Sequence, residues 1–249
     1  MSNYLLPLVK NNGKTIAFIG GGGKTTIIFN LAKQLANKGN KVIITTTTHM
    51  YEPVNITICQ EEKEIKEAFH EHNIVFVSTE ANDGKVKGVD VNLLNRLNQY
   101  ADYVLIEADG ARGLPLKAPR EHEPAMPENA DTVVAVVGLD CIGKTLGSMS
   151  FCTQQVIKVL EEGSVNAKNI LKDKIDEDHI ITANDIVKIV VSQNGYKKNV
   201  DKRDFKVILN KADNIERISN ANNIAEMLNK YYCIECFITS FKESERIYR

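Results

Sequence analysis

The chain has 249 residues, enough to bury one substantial core or a large domain with a smaller appendage. Its 31 Lys and Arg against 32 Asp and Glu leave a net charge of −1, so no global field draws it to nucleic acid or to an anionic membrane surface. No apolar run is long enough to span a bilayer, "MSNYLLPLVKNNGK" lacks the pattern of a signal peptide, and five scattered cysteines do not resemble a secreted disulfide framework, so a cytoplasmic protein with reduced thiols is expected.

Along the chain, runs rich in Val and Ile alternate with helical patterns. Strands are predicted at "KTIAFI" (14–19), "KVIITTTT" (41–48), "NIVFVS" (73–78), "DYVLIEA" (102–108), "DTVVAVVG" (131–138), "FKVILN" (205–210) and "CFITS" (236–240). Helices are predicted over 25–38, 61–70, 91–100, 185–192 and 216–230, with Thr182 and Asp185 as a helix start. Such alternation implies an α/β fold with a doubly wound, mostly parallel sheet. A single domain over 1–249 is expected, with a small helical insertion over 151–200, where strand periodicity disappears. The proline-rich, charged stretch 109–129 is a long loop at a strand's carboxyl end, where open α/β sheets bind ligands.

Two segments compete as a phosphate-binding loop. The full pattern G-x-x-x-x-G-K-[ST] occurs at Gly138 to Thr145, but the "LGSMSF" that follows is a poor helix start. The mechanism needs a helix beginning at the Lys-Thr pair, so that free N–H groups face the phosphates. That requirement is met by Gly20, Gly21, Gly22 and Gly23 followed by Lys24, Thr25 and Thr26, although Phe18 stands where the leading glycine of the standard spacing would be. In this P-loop NTPase reading Lys24 contacts the β and γ phosphates and Thr25 ligates Mg²⁺. "YVLIEADGARG" then supplies Glu107 and Asp109 as candidate metal or water ligands at a neighbouring strand end, with turn chemistry at Asp109-Gly110 as the plain alternative.

"FKVILNKADNIER" carries Asn210, Lys211 and Asp213 in the N-K-x-D pattern. A carboxylate at Asp213 can accept from the guanine N1 and N2 donors, which adenine lacks, so GTP is favoured over ATP. The competing reading makes Asp213, with Glu216, a helix cap. "ITSFK" (238–242) resembles the companion loop that backs the base. A second ligand is suggested by Arg112, Lys117, Glu121, His122 and Glu123 in the long loop and by Thr47 and Thr48 after the second strand. Arg112 is a candidate for the transition-state charge. Solvated loop residues and strand-forming threonines are the alternatives. His49, His122 and Glu123 lack zinc-ligand spacing, and Cys233 with Cys236 reads as a pair of buried or half-buried thiols.

"FIGGGGKTT", "ITTTTHMYEP", "LIEADGARGLPLKAPREHEPAMP", "VVGLDCIGK" and "VILNKAD", in this order, resemble the YqeC family, accessory proteins for selenium-dependent molybdenum hydroxylases. The resemblance implies a P-loop fold and a maturation role with a hydroxylase client, and not a worked-out reaction; it is poor over 148–169. The Glu107-x-x-Gly110 spacing further resembles metallochaperone GTPases. Two other classes stay open: an ATP-dependent ligase or small-molecule kinase, since Mur-type ligases share the short G-x-x-G-K-T-T cradle, and a nucleotide-binding regulator without turnover.

Overall fold

A computed structural model describes residues 5–9, 14–82, 84–162 and 175–241. Eight strands form one sheet: β1 (Thr15–Gly20), β2 (Val42–Thr46), β3 (Thr57–Cys59), β4 (Ile74–Val77), β5 (Tyr103–Glu107), β6 (Thr132–Gly138), β7 (Asp204–Asn210) and β8 (Glu235–Ile238). Their order is β8-β7-β6-β1-β5-β2-β4-β3, and every pairing is parallel. Helices α1 (Lys24–Ala36), α2 (Glu62–Ala68), α3 (Val91–Leu94), α4 (Thr153–Glu162), α5 (Ala183–Val191) and α6 (Ile215–Tyr232) cover both faces.

The apolar runs are continuous because a parallel sheet buries both sides of each strand. Odd and even positions therefore feed different cores. Ile16 and Phe18 of β1, with Val134, Val136 and Ile208, pack against Ile27, Ile28, Leu31 and Leu35 of α1. Ala17 and Ile19, with Val133, Ala135, Val207 and Leu209, face α4, α5 and α6 through Leu160, Ile189 and Leu228. A third cluster joins Ile43, Val75 and Val104 to Ile65 of α2 and Leu93 of α3. The order in which strands are added reverses at β1: β5 and β2 lie on one side and β6 on the other, which makes the carboxyl end of β1 the switch point where α/β sheets hold ligands.

Several boundaries differ from the sequence reading for identifiable reasons. The second strand stops at Thr46, whose hydroxyl accepts from Thr48 N at 3.0 Å and turns the chain. His49–Tyr51 instead joins Lys85–Lys87 and Thr79–Glu80 in an unforeseen antiparallel ribbon. The edge strand β3 was also unforeseen. The helix expected over 91–100 is α3, capped by Asp90, followed by a separate 3-10 turn at Leu97–Gln99. α6 is capped by Asn214, which accepts from Arg217 N at 2.9 Å, so the cap expected as the alternative role of Asp213 falls one residue later. Cys233 is exposed at the left-handed carboxyl cap of α6, which corrects its reading as a buried or half-buried strand thiol; Cys236 is half-buried. Of the stretch 151–200, α4 and α5 are helical and 163–174 lie outside the described residues, as does Lys242. Among the described residues no helix is long and apolar enough to cross a membrane.

The capping pair before α5 is present in full. Asp185 N donates to Thr182 Oγ1 at 3.3 Å, and Asp185 Oδ2 accepts from Thr182 N (2.9 Å) and Thr182 Oγ1 (2.7 Å) and meets His179 Nε2 at 2.9 Å. Burial works against the Asp185 carboxylate, but the His179 and Thr182 contacts outweigh it and hold its pKa below the ordinary value. A depressed carboxyl pKa means that this contribution is present above about pH 4 and is lost as pH falls through the folded value. Asp185→Ala is expected to cost about 1–2 kcal/mol at neutral pH, read by denaturant unfolding, with the difference from wild type narrowing below about pH 4.

Candidate functional site

Between β1 and α1 the glycine turn is clamped by neighbours. Gly21 N donates to Val136 O (2.9 Å) and Gly22 N to Leu114 O (3.0 Å), while Gly20 N donates to Asp109 Oδ2 (3.0 Å). At Gly22, φ is +76° and an added Cβ would lie 2.1 Å from Gly138 N, so both conformation and packing exclude a side chain. The first helix-closing bond runs from Ile27 N to Gly23 O at 3.2 Å. The N–H groups of Gly23, Lys24, Thr25 and Thr26 therefore lie ahead of the helical ladder, at the positive end of α1's dipole. Such an end can receive an anion.

Lys24 is buried and turns back over the turn. Its Nζ donates to Gly20 O (2.6 Å) and lies 3.1 Å from Asp109 Oδ1 and 3.9 Å from Glu107 Oε1. Thr25 Oγ1 donates to Glu107 Oε2 at 2.7 Å. Burial disfavours the Lys24 ammonium, but Asp109 and then Glu107 outweigh it and hold its pKa above that of an ordinary lysine. Burial likewise pushes the Glu107 carboxyl up, against the pull of Lys24 and Thr25. Sequence spacing put Glu107 and Asp109 on one strand face; in fact β5 ends at Glu107 and Asp109 bends past it, yet both reach Lys24. The Thr25 hydroxyl and Glu107 carboxylate make a hard-oxygen pair that fits Mg²⁺, an ion that takes few protein ligands and keeps several waters.

The long loop divides into an inward and an outward part. Lys117 is fully buried, donating to Gly110 O and Glu123 Oε2 (both 2.8 Å) and lying 3.3 Å from Asp109 Oδ2. Glu123 is held below the ordinary carboxyl pKa, burial being outweighed by Lys117 and the Arg120 N–H. Arg112 is exposed over the Phe151 ring at 5.2 Å, with Arg120 at 4.8 Å. Glu121 and His122 are exposed. Thr47 and Thr48 stand on the far side of β5, Thr47 N donating to Glu107 O at 3.0 Å. Among the described residues no group of three or more His, Cys, Asp or Glu side chains could hold a metal.

At the other end of the turn, Asn210 Nδ2 donates to Gly22 O (2.8 Å) and Asn210 Oδ1 accepts from Thr239 Oγ1 (2.8 Å). Lys211 pairs with Asp140 at 2.7 Å. Asp213 accepts from Ser240 Oγ (2.5 Å) and Arg217 Nη1 (3.3 Å). The residues of the N-K-x-D pattern, with Thr239 and Ser240, thus share one edge with the glycine turn. In the competing Gly138 to Thr145 segment, Lys144 is exposed, its N–H bonds Cys141 O, and only a four-residue helix, Leu146–Met149, follows, beginning after the Lys-Thr pair and not at it.

Sequence reasoning missed four contributors. Leu114 and Pro115 press on the turn, and Tyr196, 1% exposed, backs Gly20 and accepts from Lys117 N through its hydroxyl at 3.3 Å. Asp140 holds Lys211. None of them carries a local signal, because each acts through contacts made only after folding.

The model of the YqeC protein family matches residues 16–154. A relative named "Uncharacterized protein YqeC" from Escherichia coli (strain K12) is 36% identical over 192 residues, covering 74% of this chain and 70% of its own length. The matched stretch spans the glycine turn, the strand end bearing Glu107 and the whole of the 109–129 loop that clamps them, and with that relative it places this chain in the YqeC family.

Proposed function

We propose that the chain is a P-loop NTPase that binds a Mg²⁺–nucleoside triphosphate at the start of α1 and hydrolyses it, GTP being favoured over ATP, in the maturation of a selenium-dependent molybdenum hydroxylase. The observation that carries the nucleotide reading is the convergence of Lys24, Thr25, Glu107 and Asp109 under four backbone N–H groups at the amino end of α1. The client rests on the family resemblance alone.

In this reading the N–H groups of Gly23 to Thr26 take the phosphate oxygens, and Lys24 moves from Asp109 to the terminal phosphates as a point charge. Lys117 stays beside Asp109 and Glu123 and so keeps the vacated carboxylate neutralised. Thr25 and Glu107 would hold Mg²⁺, which supplies charge neutralisation on the phosphates. Arg112, exposed on the same loop, is the candidate for transition-state charge. For the base, Asp213 is outside the α6 cap and is oriented by Ser240 and Arg217, leaving carboxylate lone pairs for guanine N–H donors.

Lys24→Ala is expected to weaken Mg²⁺–GTP binding by about 10- to 100-fold, the worth of charge-assisted contacts, while Lys144→Ala leaves it unchanged. Titration of a fluorescent GTP analogue decides this, and equal loss in both variants would overturn the choice of cradle. Asp213→Ala should weaken GTP by about 10-fold or more and leave ATP unaffected; tighter ATP than GTP binding by wild type removes guanine from the account. Slow basal GTP hydrolysis should rise on addition of a purified molybdenum hydroxylase, whereas turnover that depends strictly on a small acid or amine would favour the ligase or kinase class.

A further inference from the structure

The segment after β6 spells a complete phosphate-loop pattern without the helix that the pattern needs, and its contacts give it another task. Gly138, the last residue of β6, is the register partner of Asn210, the last of β7. The loops that follow therefore leave side by side, about one strand spacing (~5 Å) apart. A Cβ on Gly138 would lie 2.6 Å from Asp140 Oδ1 and 3.0 Å from Gly22 Cα, so this loop packs directly against the glycine turn.

Asp140 occupies the middle of a 3-10 turn, Leu139–Cys141, whose outer residues are 1% and 0% exposed and fix its position. Its Oδ2 lies 2.7 Å from Lys211 Nζ. Lys211 is held at its other end as well. Its carbonyl accepts from Arg217 Nη1 at 3.4 Å, and its backbone is left-handed, with φ +62°. A lysine rarely adopts that conformation, which persists only where surrounding contacts over-determine it. The side chain thus spans from the end of β7 to the loop after β6, with Asp213 two residues beyond its root and the glycine turn beside its tip. Between the two anchors lie four methylenes, an apolar strip on which a flat ring can pack.

We propose that Asp140 is a positioning residue for nucleotide binding: it pins Lys211 so that the lysine stem forms a preset platform for the base, while Asp213 meets the base edge and Lys24 the phosphates. This rests on the nucleotide reading above. A free lysine side chain gives up rotamer freedom when a ligand settles on it, and pinning it beforehand removes that cost. Because the stem meets the ring face, its contribution does not depend on which purine is bound or on the number of phosphates.

Titration calorimetry of the full chain with Mg²⁺–GTP, Mg²⁺–GDP and Mg²⁺–ATP tests this. Asp140→Asn should weaken all three by a common factor of about 3- to 10-fold and leave the GTP:ATP and GTP:GDP affinity ratios of wild type unchanged. A merely structural disturbance of the rim would instead displace Asp213 or the turn and shift one of those ratios. Lys211→Met should cost the same factor, and the double variant Asp140→Asn/Lys211→Met no more than either single, because both remove one pinned stem. Unchanged binding in Asp140→Asn, a shifted ratio, or losses that multiply in the double variant overturn the proposal and leave the nucleotide reading standing. Absence of nucleotide binding by wild type overturns both. Thermal melts matching wild type are required of each variant, and Lys211→Gln replaces Lys211→Met should the latter fail to fold.

Discussion

The burial of alternating charges at the carboxyl end of β1 is the constraint on which the rest of the site depends. Lys24 and Lys117 are 4% and 0% exposed, and Asp109, between them, is 2% exposed. An isolated ion in such a place costs several kcal/mol, so each of these groups is tolerable only with the others in position. Asp109 is the hinge of the arrangement because it meets both lysines and also accepts the Gly20 N–H. The turn after β1, the end of β5 and the loop through Glu123 are therefore one electrostatic unit, although some hundred residues separate its ends. Removing Lys24 leaves Asp109 to Lys117 but takes from Glu107 the lysine 3.9 Å away, removing Lys117 strips Glu123 of its 2.8 Å partner, and removing Asp109 leaves two ammonium groups without the carboxylate they share.

Steric constraints act on the same unit from the other side. Gly21 approaches Leu114 and Pro115, and Gly22 approaches Gly138, at distances no Cβ could share. The "GLPLKAP" segment is thus a structural lid on the turn as much as a candidate ligand loop. Leu114 supplies a carbonyl to Gly22, Pro115 supplies bulk, and Lys117 supplies charge. One segment doing three mechanical tasks explains why its spelling is so particular without any appeal to a substrate.

The parallel sheet and α1 were legible because both rest on periodicity. Strands buried on two faces read as unbroken Val and Ile runs, and the apolar stripe of α1 repeats at helical spacing. The antiparallel ribbon was not legible: "HMY", "KVK" and "TE" are two or three residues each, too short for any period to register. Lys117 escaped for a different reason. A lysine among Arg120, Glu121 and His122 reads as part of a solvated face, and nothing local distinguishes the one charge that turns inward. The cap of α6 shows the limit of a spacing rule, since Asp213 and Asn214 are both good caps and the choice falls to whichever has no other work. Ser240, from a segment 27 residues away, engages Asp213 and leaves Asn214 to the helix.

That division of labour bears on how the two ends of the site communicate. Asn210 grips the turn through Gly22 O and is itself gripped by Thr239, one residue before the Ser240 that holds Asp213. Ala212 N donates to Thr239 O at 3.0 Å, so the 210–213 and 239–240 segments are tied by backbone as well. A shift of the turn on receiving an anion would pull Asn210, and Asn210 could not move without straining Thr239. Because Thr239 and Asn210 are each about 4% exposed or less, these bonds are screened little by water and resist lengthening. The stiff link favours a preformed cradle over one assembled by a ligand, and under the proposed nucleotide reading Lys24 would be the moving part, exchanging a carboxylate for a phosphate while the backbone around it stays where it is.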